Sequence, residues 1–270
     1  MERPPWAPRG IDISVPSVAR IYDFYLGGSH NFEVDRQAGR RAMEFMPGLP
    51  KLAQANRAFM RRAVEYAVAQ GVTQFLDIGS GIPAFGNVHE VARGACGEAK
   101  VVYVDHDPVA VAHAGAVLDG DAGAGAGTAD LRRPREVLAL EPVGRLLDLT
   151  RPAVLLLVAV LHFLAEADDP CAAVRELRDA MAPGSLLILT HVSYEGIPVP
   201  AEQAGGALDV YRDIRNPLIM RSRDEIARFF EGYDMVEPGL VPLPCWRPVA
   251  APDEEDALAL WGLAGVGRKA

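Results

Sequence analysis

The stretch Gln74-Phe75-Leu76-Asp77-Ile78-Gly79-Ser80-Gly81-Ile82-Pro83 contains the decisive local pattern of this 270-residue chain. Its apolar first half predicts a short buried strand that ends just beyond the carboxylate of Asp77. Gly79 and Gly81 then predict a sharp turn, because glycine adopts positive φ and leaves the backbone open to a ligand. The helix expected after the turn would direct its N-terminal N–H groups at the same place. The stretch therefore predicts a ligand site at the mouth of an α/β sheet.

Strand and helix signals alternate after this stretch. A β-branched run at 101–104 ends at Asp105, and a near-continuous apolar run at 154–160 is typical of a parallel strand buried on both faces. The pairs Asp107-Pro108 and Asp169-Pro170 are helix-start signals, since Asp suits the N-cap and Pro loses no hydrogen bond at the first helical position. The alternation predicts an α/β fold with a doubly wound, mostly parallel sheet.

The remaining segments of the second half have weaker signals. The Gly/Ala-rich residues 121–127 predict a flexible surface loop, followed by a very short third strand at 127–129 that ends at Asp130. Residues 192–221 form a long connection between sheet elements. Residues 233–236 and 258–266 are expected to close the sheet as a final, antiparallel pair.

About 70 residues with helical patterns precede the first strand. Helices are predicted from Pro16 to a glycine C-cap at Gly27-Gly28, from near Asp35 to Pro47, and over 49–70. No linker of disordered composition separates these helices from the sheet. We therefore expect residues 1–70 to be a helical N-terminal extension that caps the active site, and residues 71–270 to form the ligand-binding domain.

Composition and charge narrow the classes of function. With 27 basic and 36 acidic residues the net charge is −9, which argues against nucleic acid as a partner because nucleic-acid affinity depends on a basic surface. The N-terminus has no apolar core of signal-peptide length, and the longest apolar run, 153–161, is too short to span a bilayer. We expect a cytoplasmic protein with no membrane partner. The three cysteines lie far apart without metal-ligand spacing, so no metal site is predicted.

Three successive predicted strands end in an aspartate: Asp77, Asp105 and Asp130. The carboxyl ends of parallel strands meet at one edge of the sheet, where ligands of such folds bind. A dinucleotide site would need Gly-x-Gly-x-x-Gly or Ala, which Gly79, Gly81 and Ala84 satisfy. However, a carboxylate two residues before the first glycine is poorly placed beside a pyrophosphate. The pattern favours a ligand without phosphates that carries an ammonium group and a ribose.

These residues carry a family resemblance. The pattern Leu76-Asp77-Ile78-Gly79-Ser80-Gly81, with Asp105 and Ala129-Asp130-Leu131, resembles class I S-adenosylmethionine-dependent methyltransferases. Residues 19–28, 31–32, 155–163 and 265–269 further resemble the actinobacterial methyltransferase-like family formerly known as a domain of unknown function. The likeness covers nearly the whole chain. It implies a seven-stranded Rossmann-like methyltransferase fold with a helical N-terminal cap, and S-adenosyl-L-methionine as the cofactor.

The resemblance also implies roles for single residues, all expectations at this point. Asp77, Gly79 and Gly81 would hold the methionine end of the cofactor, and Ala159 and Val160 would line its sulfonium region. Asp105 would accept hydrogen bonds from both ribose hydroxyls, and His106 would lie beside the adenine. Asp130 would accept from the adenine amino group, while the Leu131 N–H would reach a ring nitrogen. The Gly/Ala patch before Asp130 departs from the firmer third strand of the family.

Methyl transfer from a sulfonium needs a positioned acceptor above all, and it needs a base only if the acceptor must lose a proton. The candidate catalytic residues are His162, just beyond the fourth strand, and Tyr22 in the N-terminal segment. His191, His30 and Tyr194 stay open as alternatives.

The sequence thus predicts a methyltransferase that acts by in-line transfer on an unidentified acceptor. A small-molecule acceptor is expected if the N-terminal helices and residues 192–221 fold over the strand ends and leave a cavity. Two alternatives remain: a cofactor-binding regulatory or interaction protein without catalysis, and an NAD(P)-dependent oxidoreductase built on the same sheet and glycines.

Overall fold

A single mixed sheet organises the structure. The computed structural model describes residues 12–83, 86–214, 217–252 and 259–270 of the chain. Strand β1 (Gln74–Ile78) lies near the middle of the sheet. The other strands are β2 (Lys100–Asp105), β3 (Ala124–Thr128), β4 (Val154–Val158), β5 (Leu186–Val192), β6 (Tyr233–Met235), β7 (Val241–Pro242) and β8 (Gly262–Lys269).

The strand order is β3-β2-β1-β4-β5-β8-β6, and the short β7 also pairs with β8. Strands β1 to β5 are parallel to their neighbours, whereas β8 is antiparallel to β5, β6 and β7. The predicted doubly wound, mostly parallel sheet with an antiparallel closing pair is therefore confirmed. Residue 258, at the start of the predicted last strand, lies outside the described residues.

Helices cover both faces of the sheet. They are α1 (Val18–Tyr25), α2 (Glu33–Phe45), α3 (Leu49–Ala69), α4 (Val88–Ala95), α5 (Pro108–Val117), α6 (Pro134–Leu138), α7 (Glu141–Leu146), α8 (Pro170–Asp179), α9 (Ala201–Asp213) and α10 (Arg223–Ala227). Neighbouring residues of β1 belong to different core clusters: Phe75 packs with Phe59 of α3, and Leu76 packs with Leu177 of α8. The strand is buried along its whole length, as expected for a parallel sheet covered on both faces.

The flexible loop predicted at 121–127 is wrong, because β3 runs through this patch and pairs with β2 from Val101↔Ala124 to Asp105↔Thr128. The strand also begins earlier than the predicted 127–129. The physical reason is packing, since a Cβ at Gly127 would lie 2.9 Å from the Leu140 side chain, just before α7. The small residues let this helix approach the strand closely, so they are a packing requirement and not a sign of flexibility.

The long connection at 192–221 contains a helix that the sequence analysis did not predict. Helix α9 packs against α2, where a Cβ at Gly206 would lie 2.4 Å from the Phe45 ring. Glycines and prolines in the segment obscured the helical pattern. The close helix contact accounts for Gly206 in the helix interior.

The N-terminal helices α1 to α3 form as predicted, while residues 1–11 lie outside the described part of the chain. A buried ion pair joins α1 to α2: Arg20 Nε donates to Asp35 Oδ2 over 2.9 Å, and both side chains are at most 4% exposed. Asp35 also accepts hydrogen bonds from the Ser17 and Phe32 N–H groups. The Ser17 hydroxyl donates to Asp107, the N-cap of α5, so the network connects the N-terminal helices to the sheet domain.

This network leads to a stability prediction. Asp35→Ala removes the carboxylate from a buried guanidinium, which typically costs about 3–5 kcal/mol. Glu33→Ala, two residues away on the same helix, removes solvent-screened ion pairs with Arg36 and Arg40 and should cost much less. Urea unfolding of both variants measures the difference, and equal losses would contradict the structural importance of the buried pair.

Candidate active site

A cavity of about 340 Å³ lies at the carboxyl ends of the parallel strands. Its walls contain residues at the ends of six neighbouring strands, which in sheet order are β3, β2, β1, β4, β5 and β8. At about 4.8 Å between strands, these six strands span roughly 24 Å. Every site residue predicted from the sequence lines it: Tyr22, Asp77, Gly79, Gly81, Asp105, His106, Asp130, Leu131, Ala159, Val160 and His162. The fold brings together side chains separated by up to 140 residues.

The cavity is continuous, and we name two regions of it by the strands beneath them. The proximal chamber lies over β3, β2 and β1 and contains the three strand-end aspartates. The distal chamber lies over β5 and β8 and is lined by residues 190–192 and 261–262 together with Tyr25 and Tyr211. Because β8 is antiparallel, its first residue Gly262 pairs with Val192, and this places Trp261 at the cavity edge.

The Gly-x-Gly turn after β1 fits tightly between its neighbours. Gly79 has φ +73° and a Cβ there would lie 2.4 Å from the Val160 side chain, so no larger residue fits without displacement. Gly81 has φ +65°, and a Cβ added there would have no atom within 4 Å, so its backbone conformation and not the available space favours glycine. The Gly79 and Ser80 N–H groups donate to the Val104 carbonyl, which holds the turn against β2. Ala84, the third small residue of the dinucleotide-like pattern, lies outside the described residues.

Asp77 places a carboxylate in the cavity with no hydrogen bond to any described residue. Only 8% of the residue is exposed. Burial raises the pKa of Asp77 to about 7, Arg57 opposes the rise, and Asp105 adds to it. A buried carboxylate with free acceptor sites is suited to a cationic ligand group, which would favour its ionised form.

Asp105 holds the turn and faces the cavity at the same time. Its Oδ2 accepts from the Gly81 N–H and its Oδ1 from the Asp107 N–H, both over 2.8 Å. Each carboxylate oxygen can accept a second hydrogen bond, so capacity for a ligand hydroxyl remains. Burial raises the pKa of Asp105, although the two N–H donors oppose this effect. His106 lies more exposed, with Nδ1 3.5 Å from Asp105 Oδ1.

Asp130 pairs with its near neighbour Arg132, whose guanidinium lies 2.6 Å from Oδ2. Burial alone would raise the pKa of Asp130, but the hydrogen bonds from Arg132 outweigh this and lower it. The sequence analysis did not anticipate this pair. Leu131 is buried beside it, and its N–H donates to no described residue, so it is open to a ligand acceptor.

Ala159 and Val160 form a strained turn at the end of β4. Ala159 has φ +57°, which is rare for a residue with a side chain and costs about 1–3 kcal/mol. Its N–H donates to Thr190 Oγ1 of β5 over 2.8 Å, so the neighbouring strand holds the conformation. Val160 then lies against Gly79, and the turns after β1 and β4 enclose the middle of the cavity between them.

The two candidate catalytic residues differ in how they are held. The Tyr22 hydroxyl donates to the Ala53 carbonyl and accepts from Asn56, and burial raises its pKa. His162 is buried, and its Nδ1 has no hydrogen-bond partner within the described residues. Burial lowers the pKa of His162 well below 6.5, and nearby His191 and Arg221 lower it further. Its imidazole is neutral at pH 7.

The alternative candidates are less suited to proton transfer. His191 lines the cavity, but its Nδ1 contacts the Val192 carbonyl and its Nε2 accepts from buried Arg221. His30 packs against His113 with ring centroids 4.2 Å apart, and Tyr194 is 53% exposed. Neither His30 nor Tyr194 belongs to the cavity wall formed by the described residues.

Several cavity residues were not predicted from the sequence, among them Arg57, Tyr25, Tyr211 and Trp261. The Arg57 guanidinium donates to the Gly86 carbonyl, and it is near enough to the Asp77 carboxylate to lower its pKa. Tyr25 and Tyr211 carry no local motif, so no sequence signal could have paired them across 186 positions. No group of three or more metal-ligating side chains occurs among the described residues, and none of their helices is long and apolar enough to cross a bilayer.

Comparisons with known proteins agree with this geometry. The model of a family described as S-adenosyl methyltransferase matches residues 4–270. A crystal structure from Thermobifida fusca YX, of a protein assigned as a methyltransferase, is 39% identical with a TM-score of 0.91, and the match covers 98% of this chain and 99% of that one. A DUF574 family protein from Streptomyces avermitilis MA-4680 is 34% identical with a TM-score of 0.89, covering 96% of this chain and 99% of that one. No curated protein matches. The resemblance inferred from the sequence is confirmed.

The raised pKa of Asp77 predicts a pH-dependent stability in the absence of ligand. Between the unfolded value of 3.8 and the folded value of about 7, the folded state holds the extra proton, so stability falls as pH rises and levels off above about pH 7. Asp77→Asn removes this dependence. Its stability relative to wild type should improve between pH 5 and pH 8 by on the order of 2 kcal/mol, since one pKa unit corresponds to about 1.4 kcal/mol.

Urea unfolding at the two pH values measures this difference. Asp119→Asn, at an exposed position, is the matched control. Parallel pH profiles for wild type and Asp77→Asn would contradict the buried, unpaired state of Asp77.

Proposed function

This chain belongs to the S-adenosyl methyltransferase family, and from that premise we propose that it transfers the methyl group in line to a small-molecule acceptor enclosed in the distal chamber. It is an S-adenosylmethionine-dependent methyltransferase, which sets aside the oxidoreductase alternative. When bound, the cofactor supplies a methyl group activated by its sulfonium. The acceptor and the manner of transfer are the proposal.

The proximal chamber has the groups that this cofactor needs. Asp77 is buried and has no hydrogen-bond partner within the described residues, so it is suited to the amino group of the methionine end, and nearby Arg57 is suited to the carboxylate. Asp105 has remaining acceptor capacity for ribose hydroxyls, and the unpaired Leu131 N–H for a ring nitrogen. These fits support the assignments of Asp77, Gly79, Gly81, Asp105, His106, Asp130, Leu131, Ala159 and Val160 as cofactor-binding residues.

Asp130 needs a rearrangement or a shared role in this proposal. Its Oδ1 accepts from the Arg132 main-chain N–H and from Nε, and its Oδ2 accepts from Arg132 Nε and Nη2. Both oxygens are therefore engaged, and the Arg132 guanidinium would have to turn away or share an oxygen for the adenine amino group to be accepted. The pair also positions Asp130 at the rim of the proximal chamber.

The wall of the distal chamber carries the small-molecule part of the proposal. Helices α1, α3 and α9 contribute Tyr25, Met60 and Tyr211 to its wall opposite the strand ends. This arrangement supports a division into an N-terminal extension at 1–70, which caps the site, and a cofactor-binding domain at 71–270. A macromolecular acceptor would need an open groove at the same place.

His162 is the stronger candidate for a general base in this arrangement. Its neutral imidazole can accept a proton from an acceptor hydroxyl or amine as the methyl bond forms. The hydroxyl of Tyr22 is engaged by Ala53 and Asn56, so we assign Tyr22 a positioning role.

One experiment tests the proposed function directly. The protein is incubated with S-adenosylmethionine labelled in its methyl group and a low-molecular-mass metabolite extract, and labelled products are separated by chromatography. A labelled small molecule supports the proposal. Cofactor binding without any labelled product would favour the regulatory, non-catalytic alternative.

Asp105→Ala should weaken S-adenosylmethionine binding by about 30-fold or more. A hydrogen bond to a charged acceptor contributes about 1.5–3 kcal/mol, and 1.4 kcal/mol is tenfold. The variant also releases the Gly81 N–H, so Asp105→Asn, which keeps one acceptor oxygen, should lose less. Calorimetry measures the affinities, with Asp119→Ala as the exposed control. Unchanged affinity in Asp105→Ala would remove the ribose assignment.

His162→Gln should lower turnover at least 10²-fold with the identified acceptor, while cofactor affinity in calorimetry stays the same. Because the pKa of His162 is well below 6.5, wild-type turnover should show no inflection near that pH and fall only under more acidic conditions. Tyr22→Phe should cost much less. Full turnover in His162→Gln would exclude His162 as the base.

A further inference from the structure

The distal chamber differs from the proximal chamber in its charge. The acidic and basic side chains of the cavity wall, histidines apart, are Arg57, Asp77, Asp105, Asp130, Arg132 and Asp168 among the described residues. Asp77 and Asp105 lie at the ends of β1 and β2, and Asp130 follows β3. Arg57 interacts electrostatically with Asp77, and Asp168 with Arg132. Among the described residues, none of these charges belongs to the wall over β5 and β8.

The titratable groups of the distal chamber are neutral at pH 7. Burial raises the pKa of Tyr25 and raises that of Tyr211 to about 12, so both keep their protons. Burial lowers the pKa of His191 to about 3, which leaves its imidazole uncharged. The nearest fixed charge among the described residues, the Arg221 guanidinium, lies behind His191 and is already bound by Glu166. A charged ligand group placed here would therefore find no opposite charge in the described chamber wall itself.

Tyr25 and Tyr211 form a hydroxyl pair across the chamber. Their oxygens lie 3.2 Å apart, and both residues are only 6% exposed. One hydroxyl donates to the other, which leaves one O–H donor without an acceptor among the described residues. A buried donor without a partner is costly, so the pair is suited to a ligand atom that accepts a hydrogen bond.

The rest of the distal wall is apolar and aromatic. Leu52, Met60, Phe163, Leu218, Leu243 and Trp261 line the space around the hydroxyl pair. The Phe163 and Tyr211 ring centroids lie 6.2 Å apart. Such walls contribute binding energy to a ligand in proportion to the apolar area that it buries.

We propose that the methyl acceptor is an uncharged, mostly apolar, ring-containing small molecule with a hydrogen-bond-accepting group that is held by the Tyr25–Tyr211 pair. The proposal rests on the proposed function, because only a methyltransferase has a methyl acceptor. The binding preference of the chamber can nevertheless be measured without turnover. A fixed charge would be excluded, because burying an unpaired ion costs far more than hydrogen bonds to neutral groups return. The pair makes Tyr25 and Tyr211 specificity-determining residues.

Calorimetry on the full chain saturated with S-adenosylhomocysteine tests the preference. The ligands share one ring and one alkyl group: 4-propylphenol, propylbenzene, 4-propylbenzoate and 4-propylbenzylammonium. We expect the phenol to bind at least tenfold more tightly than either charged analogue. Equal or tighter binding of a charged analogue, or no binding of either neutral ligand at millimolar concentration, would overturn the proposal.

The hydroxyl pair is tested by Tyr25→Phe and Tyr211→Phe, which keep the rings. Each should weaken phenol binding about three- to tenfold, as expected for one neutral hydrogen bond, and leave propylbenzene unaffected. Tyr194→Phe, at an exposed tyrosine outside the described wall, is the matched control and should change neither ligand. Phenol affinity that is unchanged in both cavity variants would overturn the role of the pair.

The two proposals fail separately. Tight phenol binding with no labelled product from the metabolite extract would remove catalysis and keep the neutral binding preference. A labelled product with a fixed charge beside the methylated group would keep methyl transfer and overturn the neutral acceptor.

Discussion

The arrangement of the site depends on two hydrogen bonds that the Asp105 carboxylate accepts. One oxygen accepts from Gly81 in the glycine turn, and the other accepts from Asp107, the N-cap of α5. Asp107 in turn accepts from Ser17, whose own N–H donates to Asp35, the buried partner of Arg20. A continuous chain of hydrogen bonds therefore connects the glycine turn to the N-terminal helices, and residues of these helices line the cavity at the same strand ends.

Electrostatics divide the cavity along the sheet. Over β1 to β3 the strand ends supply carboxylates, which suit a ligand with an ammonium group and many hydroxyls. Over β5 and β8 burial holds tyrosines and histidines in their uncharged forms, and hydrogen bonds there are made between neutral groups. The boundary coincides with the strained Ala159 turn, which Thr190 holds from the neighbouring strand. A charged cofactor and a neutral acceptor would thus meet at the end of β4.

Much of the site was predictable because its residues lie at strand ends with local signals. Asp77, Asp105 and the glycines follow recognisable apolar runs, and parallel strands bring their carboxyl ends to one edge. The patch at 121–127 was wrongly predicted to be a flexible loop. Its small residues are needed because the Leu140 side chain packs closely against Gly127 of β3. The helix at 201–213 was missed for a similar reason: Gly206 provides space for Phe45 and weakens the local helical pattern. In both cases a long-range contact outweighed local propensity.

Local patterns in the sequence were enough to predict the sheet type, the glycine turn and the three strand-end carboxylates, because strand–helix alternation, N-caps and Gly-x-Gly each have a physical cause within a few residues of chain. Only the tertiary structure decided the distal chamber. The Tyr25–Tyr211 pair joins two helices through residues that are 186 positions apart. Trp261 reaches the cavity through the antiparallel pairing of β8, and Arg132 forms an ion pair with Asp130. The charge state of each buried group likewise depends on packing around it, which no local pattern records.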